Sequence, residues 1–187
     1  SKGQGATPVV DTVADYIVVG AGISGSFVAG QLAERGFSVK LVDKARGTGG
    51  RLSSKRLSLG KAQLSYDLGA QKFEASSREF CNYIETRDDL VFDAPAEEHA
   101  AGVRRAYAKQ RNSLLARGAL GKAEGMFGYR VLSANFNEKQ WTLSIENKDG
   151  VSDIFCRHLI LATPPKQAAD ILGSSHDQYQ TLSNVEH

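Results

Sequence analysis

Asp15-Tyr16-Ile17-Val18-Val19-Gly20-Ala21-Gly22-Ile23-Ser24-Gly25 is the stretch that decides the fold. Its first half is a short apolar run rich in β-branched side chains, which suits a parallel strand buried on both faces. Its second half has the spacing Gly20-x-Gly22-x-x-Gly25. Beyond it Phe27, Val28, Leu32 and Ala33 recur at helical spacing, and Gly36 stops the helix. A second apolar strand, Ser38-Val39-Lys40-Leu41-Val42, closes on Asp43. Strand, glycine turn, helix and strand make one βαβ unit, whose crossover is expected to be right-handed.

A glycine pattern alone marks no more than a turn; here its setting makes it a dinucleotide fingerprint. The first glycine allows a tight turn, the second lets the backbone approach a pyrophosphate, and the third lets the helix pack on the strand. The helix N-terminus offers unpaired N–H groups and the positive end of its dipole to the phosphates. Asp43 stands 18 residues after Gly25, at the end of the second strand, where a carboxylate accepts hydrogen bonds from a ribose diol. The same carboxylate argues against a 2′-phosphate, because two anions would meet. Lys44, Arg46 and Arg51 are read as neutralising the pyrophosphate.

The composition agrees with a folded, soluble chain. Charged residues make up 24% and hydrophobic ones 41% of 187 residues, enough for a core. Lys and Arg total 23 against 21 Asp and Glu, a net charge of +2. That balance argues against nucleic acid or an anionic membrane as partner and leaves a small-molecule substrate. Cys81 and Cys156 lie far apart in no metal-ligand spacing, so neither a disulfide framework nor a zinc site is expected. With no apolar run near the roughly 20 residues of a membrane span, and a polar start at Ser1, a cytoplasmic protein is expected.

Four segments are expected. Residues 1–14 are a leader or appended residues; 15–76 form the N-terminal part of a dinucleotide-binding domain; 77–125 form a helical insertion; 126–187 form a β-meander and the return to the sheet. A glycine- and arginine-rich loop runs from Lys44 to Arg56, followed by a short strand around Gln63 to Asp67. Ser77 to Ala119 reads as two or more helices broken near Pro95, one of them anchored on the sheet by Leu114 and Leu115. Three strand-like runs follow, at Tyr129 to Phe136, Gln140 to Ile145 and Val151 to Cys156, joined by turns at Asn137-Glu138-Lys139 and Asn147-Lys148-Asp149-Gly150. A separate apolar strand, His158 to Ala162, ends at Thr163-Pro164-Pro165, and a helix runs from Lys166 to Leu172. The four histidines, His99, His158, His176 and His187, are scattered. No spacing suggests Ser-His-Asp or Cys-His chemistry, and no catalytic residue is assigned. Cys81 and Cys156 read as small core residues.

Arg46-Gly47-Thr48-Gly49-Gly50-Arg51 separates the possible cofactors. Here the sequence resembles flavoproteins in which a glycine doublet and an arginine follow the acid of the Rossmann unit, a group that includes amine oxidases, carotenoid desaturases and renalases. The resemblance to the renalase-like branch is close. It runs over Asp43 to Arg56, continues at Asp67-Leu68-Gly69-Ala70-Gln71, and returns at Leu159-Ile160-Leu161-Ala162-Thr163-Pro164. A nicotinamide dinucleotide needs only the first glycine loop. Extended FAD needs further close-approach surfaces, which Gly49, Gly50, Gly69 and the Thr163-Pro164 turn would supply.

The resemblance implies an α/β, Rossmann-like FAD-binding domain with a parallel sheet and a β-meander, the substrate domain being largely absent. By it, Gly20, Gly22, Ile23, Ser24 and Gly25 hold the pyrophosphate of FAD and Asp43 the ribose. Lys44 and Arg46 lie at the adenosine end, Gly50 and Arg51 nearer the pyrophosphate and flavin, and Ala70 and Gln71 by the isoalloxazine. Val131 meets adenine through its backbone, and Ala162, Thr163 and Pro164 form a further cofactor-binding turn. The family usually has an aromatic residue after the glutamine, where this chain has Lys72 and then Phe73. The implied activity is hydride transfer from a small reduced substrate, of the class of isomeric dihydronicotinamide dinucleotides, to FAD, with reoxidation by oxygen. The family's members are considerably longer, so the chain is expected to be a fragment. An amine oxidase or desaturase, an NAD-dependent dehydrogenase and a non-catalytic dinucleotide-binding fragment are the alternatives.

Overall fold

The computed structural model describes residues 12–60, 62–70, 72–92, 104–109 and 112–185. β1 (Ala14–Val19) enters the glycine turn, α1 (Ile23–Glu34) follows, and the chain returns along β2 (Val39–Asp43). A short 3-10 turn at Gly50–Leu52 leads into the hairpin of β3 (Ser54–Leu59) and β4 (Ala62–Asp67). Next come β5 (Phe73–Ala75), α2 (Arg78–Glu85), β6 (Leu90–Phe92), β7 (Arg104–Ala108) and α3 (Ser113–Leu120). The last part holds β8 (Glu124–Phe127), β9 (Arg130–Phe136), β10 (Trp141–Asn147), β11 (Gly150–Leu161), α4 (Pro165–Leu172) and α5 (Tyr179–Ser183).

The main sheet has the order β8-β2-β1-β11-β10-β9. Its first four strands are mutually parallel, and β11, β10 and β9 are antiparallel. Both faces of β1 are covered, as parallel pairing requires. On one face Ile17 and Val19 pack with Val42, Leu143, Ile145 and Ile171. On the other, Val18 and Leu41 pack with Ala29 of α1 and with Ala123. Ile17, Val18, Leu41 and Val42 are fully buried, each stabilising the fold by about 1.5–3 kcal/mol. A third cluster, of Leu52, Ala75, Ile84, Leu90 and Leu115, lies beneath the small sheet β5-β7-β6. Gly30 lets α1 and α3 touch, since a Cβ there would run into the Ala119 carbonyl oxygen.

Several expectations change. The stretch read as two or more helices from Ser77 to Ala119 contains α2 and α3 but also β6 and β7, so the insertion is mixed. Pro95, the expected break, lies outside the described residues. Leu115 is anchored in the third cluster rather than on the main sheet, and Leu114 is only half-buried. β3 occupies part of what read as loop. The third meander strand and the apolar return strand are one continuous β11. Its first part pairs with β10 up to Trp141↔Cys156, and its second pairs with β1 from Ala14↔Cys156. Cys156 sits at the changeover, fully buried, and burial pushes its thiol up to about 11. No helix among the described residues is long and apolar enough to cross a membrane.

Candidate functional site

β1 and β2 end side by side, and the chain order reverses on passing from β1 to β11. A crevice is expected at such a switch point, beyond the carboxyl ends of the strands. There is a cleft of about 230 Å3 here. Val19 and Gly20 reach it from β1, Val42, Asp43 and Lys44 from β2, and Tyr129 to Leu132 from the start of β9. Thr163, just past β11, and Gln167, Asp170 and Ile171 of α4 complete the wall. Among the described residues no group of histidine, cysteine and acidic side chains could hold a metal ion.

The three fingerprint glycines differ in what surrounds them. Gly20 has φ +107°, and a Cβ there would lie 2.7 Å from the Ala162 carbonyl oxygen. At Gly25 a Cβ would run into the Gly20 carbonyl. These two are glycine because the chain folds tightly on itself. At Gly22 a Cβ would meet nothing within 4 Å. That open space lies at the N-cap of a helix with no acid in its first turn and no capping side chain, the kind of place where an anion can be held.

Asp43 is held on both sides. Ala21 N donates to Oδ2 (2.6 Å) and Ala45 N to Oδ1 (2.7 Å), so the carboxylate ties β2 to the glycine turn. Each oxygen keeps a second lone pair for a ribose hydroxyl. Thr163 Oγ1 is buried with no hydrogen-bond partner among the described residues. A hydroxyl so placed costs about 1–3 kcal/mol unless something in the cleft pairs with it.

The glycine doublet docks on the fingerprint. Gly49 N donates to Ala21 O (2.8 Å), Gly22 and Gly49 form an isolated bridge, and a Cβ on Gly50 (φ +53°) would lie 3.0 Å from Gly22 Cα. Arg51 follows, its carbonyl accepting from Ala70 N (2.9 Å), and a Cβ at Gly69 would run into that carbonyl. The close approaches assigned to Gly50 and Gly69 are thus made to the protein's own backbone. Behind them Asp67 accepts from Ser54 Oγ (2.5 Å) and Asn112 N (3.1 Å), while Asn112 Nδ2 donates to Ala70 O (2.8 Å). That network fastens the loop to α3.

Of the residues singled out in the sequence, Gly20, Asp43, Lys44, Val131 and Thr163 line the cleft together. Gly22, Ser24, Gly25, Gly50, Arg51 and Ala70 lie outside it, along the glycine turn and its docked loop. Ile23 is half-buried against the third cluster, Ser24 is exposed on the first turn of α1, and Arg46 and Arg51 are exposed. Ala162 backs Gly20 and Gly25, and Pro164 caps α4. Gln71 lies outside the described residues. The sequence reading missed Tyr129, Arg130, Leu132, Gln167, Asp170 and Ile171. The spacing of the last three, i, i+3 and i+4, puts them on one helical face and was the available signal.

The family model for NAD(P)-binding Rossmann-like domains matches residues 18–94. The fold is a Rossmann-like α/β fold with a largely parallel sheet. Among solved structures it is similar to BexE, from work on oxidation during BE-7585A biosynthesis: 14% identity and TM-score 0.61, over 84% of this chain and 33% of that one. It is also similar to CabE, an aromatic hydroxylase from angucycline biosynthesis, with 20% identity and TM-score 0.55 over 79% and 30%. The p-nitrophenol 4-monooxygenase PnpA from Pseudomonas putida DLL-E4 matches with 14% identity and TM-score 0.56 over 81% and 41%. At these identities the likeness is one of fold. The chain spans about a third of the length of BexE and CabE.

Proposed function

We propose that this chain is the FAD-binding part of a flavin-dependent oxidoreductase of the renalase-like kind. The observation that carries the reading is one continuous track of backbone. It leaves the cleft at Gly20, crosses the open space at Gly22, follows the docked Gly49-Gly50 pair and reaches Arg51 and Ala70. A dinucleotide extended along it would place its adenosine in the cleft, its pyrophosphate over Gly22 and its second ring system towards Ala70. Asp43 binds the ribose, and the first N–H groups of α1 hold the phosphates. Arg46 and Arg51, in a segment from 44 to 52 that contains no acid, balance their charge. Bound there, FAD supplies hydride acceptance and electron return to oxygen, the chemistry that the protein itself lacks. The similar solved structures support the reading, since they include an aromatic hydroxylase and a monooxygenase. The sequence resemblance adds the substrate class, isomeric dihydronicotinamide dinucleotides.

Anaerobic addition of such isomers, and separately of amines, to the FAD-loaded protein tests this. Bleaching of the flavin by the dihydronicotinamide isomers is the expected result. Bleaching by amines alone would overturn the renalase-like assignment.

A further inference from the structure

We propose that Gln167 and Asp170 on α4 are the residues that select adenine at the nucleotide end of the cleft, an inference that rests on the dinucleotide reading above. They lie one helical turn apart on the face that closes the cleft. Neither has a hydrogen-bond or ion-pair partner among the described residues, although both border the cleft. Beside them Ile171 and Val131 supply apolar surface for the flat faces of a base. The ionisable groups lining the cleft cancel, Asp43 and Asp170 against Lys44 and Arg130, so this end suits a neutral base and sugar. The uncompensated arginines, Arg46 and Arg51, stand outside it, in the docked loop that follows the strand.

The chemistry selects one base. A glutamine amide matches adenine on two atoms at once, accepting from the exocyclic amine and donating to the adjacent ring nitrogen. A carboxylate only accepts, so Asp170 takes the amine's second hydrogen. Guanine and hypoxanthine carry an acceptor oxygen where adenine has its amine, and that oxygen would face the Asp170 carboxylate. The orphaned hydroxyl of Thr163 borders the same cleft and can pair with the nucleoside beside them.

Calorimetric titration of the protein with ADP, GDP and IDP tests the assignment without turnover. ADP is expected to bind at least about tenfold tighter than either of the others, the discrimination of one good bidentate contact. Gln167→Ala is expected to lower ADP affinity towards that of IDP, and Asp170→Ala to narrow the gap from both sides, weakening ADP and tightening IDP, whose oxygen no longer faces a carboxylate. Both positions are exposed and alanine suits a helix, so the variants should fold, as their melting curves would show. Equal affinities for the three diphosphates, all weakened by Gly22→Val, would overturn base selection and leave the dinucleotide site standing. Discrimination retained in both alanine variants would also overturn it. If no diphosphate binds, the dinucleotide reading fails and this inference with it.

Discussion

A methyl group at position 22 would meet nothing of the protein, whereas one at position 25 would collide with the Gly20 carbonyl. The two substitutions should therefore separate binding from folding. Gly22→Ala is expected to leave the melting temperature unchanged and to lower FAD affinity by about tenfold to a hundredfold, the 1–3 kcal/mol of an overpacked contact. Gly25→Ala is expected to lower the melting temperature by about 5 °C or more, because backbone must move. Thermal melts and equilibrium titrations on the pair check both. The spacing singled out three glycines, but not which of them press against the protein's own backbone and which stands clear of it. That distinction depends on Ala162, which lies 142 residues from Gly20 in the chain and beside it in space. Asp43 is similar. Its place at the end of a strand was legible, while its bonds to Ala21 N and Ala45 N required the folded turn.

The elements that were legible have strong local signals. β1, α1 and β2 combine apolar runs with glycine punctuation, and the hairpin turns carry their own chemistry. Asn137 Oδ1 accepts from Lys139 N and Gln140 N, and Asn147 Oδ1 from Asp149 N. Between the first two lies Glu138, held at φ +69°, where a side chain is strained. Glu138→Gly should relieve about 1 kcal/mol and raise the melting temperature by roughly 2–4 °C; no change would show that the turn is not under strain. The misread elements lack such signals. β6 has three residues, too few for any period to show, and the Arg104–Ala108 strand contains no β-branched residue. β11 read as two strands because Arg157 interrupts its apolar pattern, between the runs ending at Cys156 and beginning at His158. Arg157 is exposed in the structure, just past the residue where the strand changes partners.

Three packed clusters divide the molecule, two on the faces of the main sheet and one beneath the small sheet. Two groups make the stability of the fold depend on pH in opposite ranges. Asp89 is held below the usual carboxylate range by its hydrogen bonds with Arg87, at 2.8 and 2.7 Å, so the stability it contributes is present at neutral pH and lost as pH falls below about 4. Burial of Cys156 acts at the other end. An unfolded thiol ionises near 8.5 while the folded one is pushed up to about 11, so stability should decline as pH rises through that interval. Cys156→Ser, which ionises in neither state, should flatten the alkaline limb of a stability-against-pH curve. An unchanged limb would mean that other groups set it.

The central claim is that the cleft and the glycine track together hold FAD. Its most direct test is the visible absorption spectrum of the purified protein after saturation with FAD and removal of the excess, with the bound cofactor identified after denaturation. The account expects a flavin spectrum, FAD as the released species, and loss of both in Gly22→Val with the fold intact. A protein that stays colourless under saturating FAD, or that keeps its flavin in Gly22→Val, would contradict it.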